Sequence, residues 1–409
     1  MQRPAARDIV DNLPTGNSTR PLGLFPGIAR QLCMASVLLF FAESAEAAPP
    51  SPERVQSVEL TDAPFRVATL ARFNDPWAAA VLPDGRLLVT ERPGKLYVVA
   101  PDGTQSAPVA GLPDVDRGGQ GGLGDVLVHP TFADSGMIYL SYVEPSSEAG
   151  AYDLRGAAVA RARLVFANDG PQLADVTVIW RQSPKVSGRG HFGHRLAMDQ
   201  AGFLFITSGD RQKFEPAQDL TQNLGKVVRL HDDGRIPEDN PFAERGGVAA
   251  EIWSLGHRNP LGLAFDARGQ LWSHEMGPAH GDELNRVERG ANYGYPLVSN
   301  GDHYGGRDIP DHATRPDLRA PDVYWKPAIS PAGFLIYQGD RFPDWTGSGF
   351  IGGLSSKALI RVVLDADRPH EAERFAFGTR IREIEEAPDG TLWVLEDGRR
   401  ARLLHLTPR

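Results

Sequence analysis

The sequence predicts an all-β fold, a six-bladed β-propeller with loop insertions, on three observations. Glycine (44) and proline (33) are abundant in a chain of 409 residues, which breaks it into many short elements and argues against a helical bundle. Short apolar or alternating runs recur along the chain, separated by Asp-x-x-Gly and Pro-Asp-Gly turns in which glycine supplies the positive φ of a hairpin. No stretch sustains helical periodicity, so helices are expected only as short insertions in loops. Hydrophobic residues at 41% and charged residues at 23% permit a large core and exclude wholesale disorder. A net charge of −9 argues against nucleic acid as a partner and against a polybasic membrane surface.

Residues 1–48 read as a leader ending in a secretory signal. The apolar run 35–42 follows Arg30 and precedes Ala45-Glu46-Ala47, the three parts of an export signal. The run is too short to span a bilayer, so no stable membrane anchor is expected and the mature chain is assigned to the periplasm or the medium. Cys33, the sole cysteine, lies in this leader; the mature chain then carries no disulfide, thiolate metal site or cysteine nucleophile. Residues 49–64 read as a linker, and 65–409 as the propeller.

Within 65–409 the same hairpin repeats. Val81-Leu-Pro-Asp-Gly85-Arg-Leu-Leu-Val-Thr90 is strand, turn, strand, and the pattern returns around Gly136, Gly202, Gly269 and Gly390. The long gap between the last two has room for one more unit, supplied by residues 333–364. Six such units form a propeller, whose loops converge at one mouth of a central channel. Trp253, Trp272 and Trp393 lie in these strands and are expected to pack between blades.

Four segments hold more polar residues than turns require. Arg117-Gly-Gly-Gln120-Gly-Gly-Leu123 is glycine-rich without the spacing of a phosphate-binding fingerprint; taken alone it reads as a flexible connector. Gly190-His191-Phe-Gly-His194-Arg195 ends in a strand, and a histidine at a strand mouth is suited to general-base chemistry or to a structural hydrogen bond. Gly256-His257-Arg258-Asn259-Pro260 sits between two strand-like runs; Arg258 is able to bind a carboxylate in bidentate fashion or to satisfy loop carbonyls. Glu275-Met-Gly277-Pro278-Ala-His-Gly-Asp282-Glu283 and the following Asn292-Tyr293 offer hard oxygen ligands of the kind calcium takes. Arg380-Ile-Arg382 places two guanidinium groups on one strand face, unfavourable unless an anion or carboxylate offsets them.

In this order the segments resemble the glucose/sorbosone dehydrogenase family, and in particular its periplasmic, pyrroloquinoline quinone (PQQ)-dependent aldose sugar dehydrogenases. Leu255-Gly-His-Arg-Asn-Pro260 and the stretch Glu275 to Pro296 carry the resemblance, which runs from about residue 65 to 407. It implies a six-bladed propeller that binds PQQ and Ca²⁺ and oxidises aldose sugars at C1 to aldonolactones. His191 would be the general base, hydride would pass from C1 to the quinone C5 polarised by Ca²⁺, and electrons would leave to an external acceptor. Arg258 would stabilise the negative charge. Gln120, Arg258, Asn259, Arg380 and Arg382 match cofactor contacts, and Tyr304 stands where a cofactor neighbour is expected. Gly277 and Pro278 match carbonyl ligands of the cofactor-bound calcium; Glu283 and Tyr293 match a further calcium site. Two departures stand out. His194 adds an imidazole beside the base, and a family lysine falls on Ser355, with Lys357 its substitute if the loop is shifted.

Two other readings compete on the residues alone. One is a calcium-dependent lactonase or esterase on the same fold, which needs carboxylates and amides from several blades on one metal. The other is a non-catalytic sugar-binding propeller, which leaves His191, Arg258 and Arg382 without a shared task. The basic candidate site favours an anionic cofactor.

Overall fold

The strands of this protein carry unbroken apolar runs such as Leu87-Leu-Val and Met137-Ile-Tyr-Leu, as expected of sheets covered on both faces. The computed structural model describes residues 57–409 apart from Ala149 and Ala366; the leader, the export signal and Cys33 lie outside the described residues. The chain order is β1 (Ser57–Glu59), β2 (Phe65–Phe73), β3 (Pro76–Val81), β4 (Leu87–Glu91), β5 (Lys95–Val99), β6 (Leu123–Val128), α1 (Phe132–Ser135), β7 (Met137–Pro145), β8 (Arg155–Ala167) and β9 (Gly170–Arg181). It continues with β10 (Gly193–Met198), β11 (Phe203–Ser208), β12 (Lys226–His231), β13 (Ile252–Leu255), β14 (Pro260–Phe265), β15 (Leu271–Glu275), β16 (Asp282–Arg286) and β17 (Val323–Trp325). Then follow β18 (Pro331–Ile336), β19 (Gly349–Gly353), β20 (Ala358–Val363), β21 (His370–Ala376), β22 (Ile381–Glu386), β23 (Leu392–Glu396) and β24 (Ala401–Pro408).

These strands form six sheets: β3–β5, β6–β9, β10–β13, β14–β17, β18–β21 and β22–β24. The first strands touch in sequence, β3 to β6, β10, β14, β18 and β22, and β22 returns to β3. The fold is therefore a closed six-bladed β-propeller, and the predicted class stands. Two N-terminal strands complete it. β2 adds to the outer side of β24, from Phe65 opposite Pro408 to Phe73 opposite Ala401. β1 pairs in parallel with β21, so Ser57–Glu59, read from the sequence as linker, is a fifth strand of the fifth blade. An edge addition this short leaves no periodic signal.

One hydrophobic cluster fills each gap between blades. Alternate residues of a strand serve opposite gaps: Ile138 and Leu140 face the first blade with Trp77 and Leu88, whereas Tyr139 and Val143 face the third with Leu196 and Ile206. The gap between the third and fourth blades holds Phe205 and Leu271, with Trp253 at its margin. Trp272 and Trp325 meet Phe334 and Ile351 in the next. Phe65 of β2 joins Phe350, Phe375 and Val394 between the fifth and sixth blades, and Trp393 meets Leu87 and Val89 where the ring closes. Each such side chain contributes about 1.5–3 kcal/mol by leaving water.

The turn glycines Gly85, Gly136, Gly202, Gly269 and Gly390 all have φ between 64° and 85° and join first to second strands. In the fifth blade that connection is the longer segment 337–348, which is why its signature differs. In every blade the first strand meets the second with a register shift near its start, as between Leu123 and Val126, Gly193 and Leu196, or Ile381 and Glu383. Such bulges re-aim side chains. On the axis, Arg195 uses Nη1 for Asp125 Oδ1 (3.2 Å) and for Glu383, and donates from Nε to Leu261 O (2.8 Å). Its guanidinium lies 4.1 Å over the Trp77 ring. One buried cation thus ties elements of five blades together.

Candidate functional site

Adjacent strands alternate in direction, so connections between the second and third strands and those between blades leave at one end of the propeller. That end receives Gln120, His191, Arg258, Asn259 and Arg380 from inter-blade loops, and Asp210, Gly277, Pro278, Lys357 and Asp397 from loops within blades. The turn glycines lie at the other end.

His191 is 6% exposed. Its Nδ1 is 2.7 Å from Asp210 Oδ1, and its backbone N–H donates to Gln120 Oε1 at 2.7 Å. Burial lowers its pKa from 6.5; the hydrogen bond to Asp210 opposes this and the Arg258 charge reinforces it. The ring is therefore neutral at pH 7. Asp210 also donates its backbone N–H to Arg258 O at 2.8 Å, joining the third and fourth blades. The sequence reading missed Asp210. The available signal was Ser208-Gly-Asp210 at the end of β11, a carboxylate leaving the blade of His191 on the side where His191 enters it.

The glycine-rich loop is not a flexible connector. A side chain on Gly119 would meet Arg189 O at 2.4 Å, and one on Gly122 would meet Arg92 O at 2.3 Å, both at positive φ. Gln120 donates its backbone N–H to Arg189 O at 2.8 Å. The glycines permit backbone to lie against backbone, which fixes Gln120 under His191. His194, in contrast, faces away from Asp210. Its Nδ1 is 2.7 Å from Ser141 Oγ, its ring stacks on Trp77 at 4.9 Å, and burial takes its pKa down to about 3. It is a core histidine.

Arg258 donates from Nη1 to Met276 O (2.8 Å) and from Nη2 to the Tyr304 hydroxyl (3.5 Å). Its backbone N–H donates to Glu275 Oε2 at 2.5 Å, while Glu275 Oε1 lies 2.9 Å from His257 Nδ1. Arg258 Nε and Asn259 Oδ1 are buried without a hydrogen-bond partner among the described residues, a costly state that a bound polar group would relieve. Tyr304 is 77% exposed. It arrives on segment 287–322, which starts at the far end of the fourth blade and returns: Asn292 bridges to Leu255, and Tyr293 N–H donates to Leu255 O at 2.9 Å. Tyr295 of the same segment, also missed, lies 5.9 Å beneath the Arg258 guanidinium.

A small cavity beside Arg258 is lined by Glu275, Gly277, Pro278, Glu283, Tyr295 and Ser299. Asp282 fixes the Gly277 turn, accepting from Gly277 N–H (2.9 Å), Ile329 N–H (2.8 Å) and Ser330 N–H (2.7 Å). Glu275 and Glu283 face each other across β15 and β16. Burial, and then the neighbouring Glu275 charge, raise the Glu283 pKa well above 4.5. Asn285 Oδ1 beside them is buried and has no partner among the described residues. Two opposed carboxylates and a free amide oxygen suit a hard cation, although no group of three or more acidic, histidine or cysteine side chains arranged for a metal occurs among the described residues. The Tyr293 carbonyl already accepts from His312 Nε2 at 3.1 Å, leaving one lone pair for a ligand.

The remaining predicted residues are placed differently. Arg380 Nε and Arg382 Nη2 both donate to Asp397, at 2.6 Å each. The offset that the sequence demanded for this pair is a carboxylate of the protein. Lys357 is exposed in the β19–β20 turn at φ 55°, and only its backbone carbonyl is engaged, by Phe377 and Gly378. Ser355 bonds to Ala328 O at 3.2 Å.

Known proteins resemble this chain in sequence and fold. A family model described as Glucose / Sorbosone dehydrogenase matches residues 73–405. The chain is 42% identical over 344 residues to the aldose sugar dehydrogenase YliI of Escherichia coli (strain K12), covering 83% of this chain and 91% of that one. It is 28% identical to the quinoprotein glucose dehydrogenase B of Acinetobacter calcoaceticus over 73% of this chain and 66% of the other. The PQQ-bound structure of an aldose sugar dehydrogenase from Streptomyces coelicolor superposes with a TM-score of 0.66 at 25% identity, covering 88% of this chain and all (100%) of that one. The chain belongs to the glucose/sorbosone dehydrogenase family.

Proposed function

We propose that this protein is a PQQ-dependent aldose sugar dehydrogenase that oxidises its sugar at C1 to the aldonolactone and passes electrons to an external acceptor. The observation that carries the reading is a buried His191–Asp210 pair joined through one backbone hydrogen bond to Arg258, beside which Arg258 Nε and Asn259 Oδ1 are buried with no hydrogen-bond partner among the described residues.

Asp210 accepts the Nδ1 proton of His191, so Nε2 is left with its lone pair free, the tautomer a general base needs. His191 then takes the proton of the anomeric hydroxyl. Loss of that proton builds charge on O1 and favours two-electron oxidation at C1, and the Asp210 carboxylate stabilises the imidazolium that results. Gln120 holds the His191 backbone in place. Arg258 and Asn259 would hold the cofactor, with Tyr304 and Tyr295 beside them and Arg380 and Arg382 at the edge. Gly277 and Pro278 carbonyls would hold the calcium next to it, and Glu283 and Tyr293 a further calcium. When bound, PQQ supplies the hydride-accepting quinone and Ca²⁺ the Lewis acidity. The export signal read in the leader makes the protein periplasmic or secreted.

The test is reconstitution. Purified protein mixed with PQQ and Ca²⁺ is expected to reduce a dye in the presence of an aldose, with both additions required. Lactone hydrolysis without dye reduction or PQQ binding would instead establish the esterase reading.

A further inference from the structure

Arg211 follows Asp210 directly and is 1% exposed, yet no carboxylate pairs with it among the described residues. Its three guanidinium nitrogens all donate to main-chain carbonyls: Nε to Gly190 O (2.9 Å), Nη2 to Gly188 O (2.6 Å) and Nη1 to Arg155 O (2.7 Å). The guanidinium carbon Cζ lies 3.9 Å from the centre of the Phe192 ring, and the Arg211 backbone N–H donates to His191 O at 3.2 Å. Arg211 therefore grips the residue before His191, the residue after it and His191 itself. His191 needs this grip, because it stands at φ 49°, in the left-handed region. A non-glycine residue held there is strained and persists only where the surroundings over-determine it.

The segment that does the holding is strained as well: Arg211, Gln212 and Phe214 have φ of 57°, 60° and 66°. A cation buried without an ion pair is also unfavourable, and burial lowers the Arg211 pKa to about 10. A loop that only connected β11 to β12 would need none of this. The grip extends to the glycine-rich loop, since Arg155 donates from Nε to Asp116 Oδ2 (2.8 Å), and Asp116 accepts from Gly118 N–H (2.9 Å) just ahead of Gln120.

We propose that Arg211 is the positioning residue of His191, holding its left-handed backbone through the Gly188 and Gly190 carbonyls while Asp210 holds its ring. This rests on the proposed function for its kinetic consequence only; the positioning itself is a property of the unloaded protein. Arg211 acts through His191 and is assigned no contact with the sugar.

Two variants separate geometry from charge. Arg211→Lys keeps a cation but cannot reach three divergent carbonyls; Arg211→Met removes both. Each is expected to lower kcat roughly 10–100-fold, the size of effect that a misplacement of about 1 Å produces, with the aldose KM within about threefold. In Arg211→Lys the acid limb of the kcat profile stays where it is. In Arg211→Met it moves to higher pH, because a cation that disfavours protonation of His191 is lost while Asp210 and Arg258 remain. The companion measurement is the ¹⁵N resonance of the His191 imidazole in protein without cofactor, assigned with His191→Asn, which is expected to shift or broaden in both variants. Turnover within about twofold of the parent in both variants, or an unchanged His191 resonance, overturns the proposal. If the parent protein oxidises no aldose, the function fails and the resonance decides the positioning alone. If Arg211→Met does not fold, Arg211→Lys decides both.

Discussion

The two halves of the proposed site are built on opposite principles. In the third and fourth blades, His191, Asp210, Arg258, Asn259 and Glu275 are buried and locked together, but with Arg258 Nε and Asn259 Oδ1 left unpartnered. In the fifth and sixth blades the cations are already satisfied or exposed: Arg380 and Arg382 share Asp397, and Lys357 faces solvent. At the mouth, the unpartnered Arg258 and Asn259 atoms are free to meet a ligand, whereas the Arg380 and Arg382 charges are already met by Asp397. The chemistry should depend steeply on the first half and weakly on the second.

The largest expected effect is on turnover. His191→Ala should lower kcat on the order of 10²–10⁴-fold and leave PQQ affinity, followed by fluorescence titration, nearly unchanged. Asp210→Asn should fall about 10²-fold or more, because the amide no longer fixes the tautomer. Normal turnover in either variant would remove the buried half from catalysis. Cofactor retention should show the contrast most directly. Arg258→Ala should weaken PQQ binding roughly 10–100-fold, the equivalent of one charge-assisted hydrogen bond of about 1.5–3 kcal/mol, whereas Arg380→Ala or Lys357→Ala should change it about twofold at most, as for exposed ions. An equal loss in all three would collapse the distinction. The smallest effect is on pH dependence. Since His191 must be neutral to act and burial lowers its pKa, kcat/KM should be level at pH 7 and fall only below 6.5; a limb above 6.5 would mean that the Asp210 carboxylate outweighs burial.

What could be read from the sequence was local. A turn glycine and its flanking strands lie within about ten residues, so the blades around Gly85, Gly202, Gly269 and Gly390 were legible, and so were the polar segments 117–123, 190–195 and 256–260 that the fold gathers at one end. What escaped depends on which loops meet. Asp210 approaches His191 from the far side of the β10–β11 hairpin, and Asp397 reaches Arg382 across β22 and β23; neither pairing has a signature at fixed spacing. The return of segment 287–322 to the mouth was invisible, because nothing in its composition says which end of the blade it covers. The glycines at 118–122 misled for the same reason: flexibility in an isolated chain became close contact once Arg189 and Arg92 were opposite them.

The clasp between β2 and β24 has a consequence for how the protein is made. β2 leaves the ribosome before any of the blade strands β3–β23, and its partner Ala401–Pro408 follows only after all of them. Until then Phe65 and Phe73 have no sheet to join, because β24, the strand between β2 and β23, is missing. Domains tend to fold as their sequence emerges, but this clasp cannot form until all six blades have emerged. The order of synthesis thus acts as a timer, holding back the clasp until the last blade has been made.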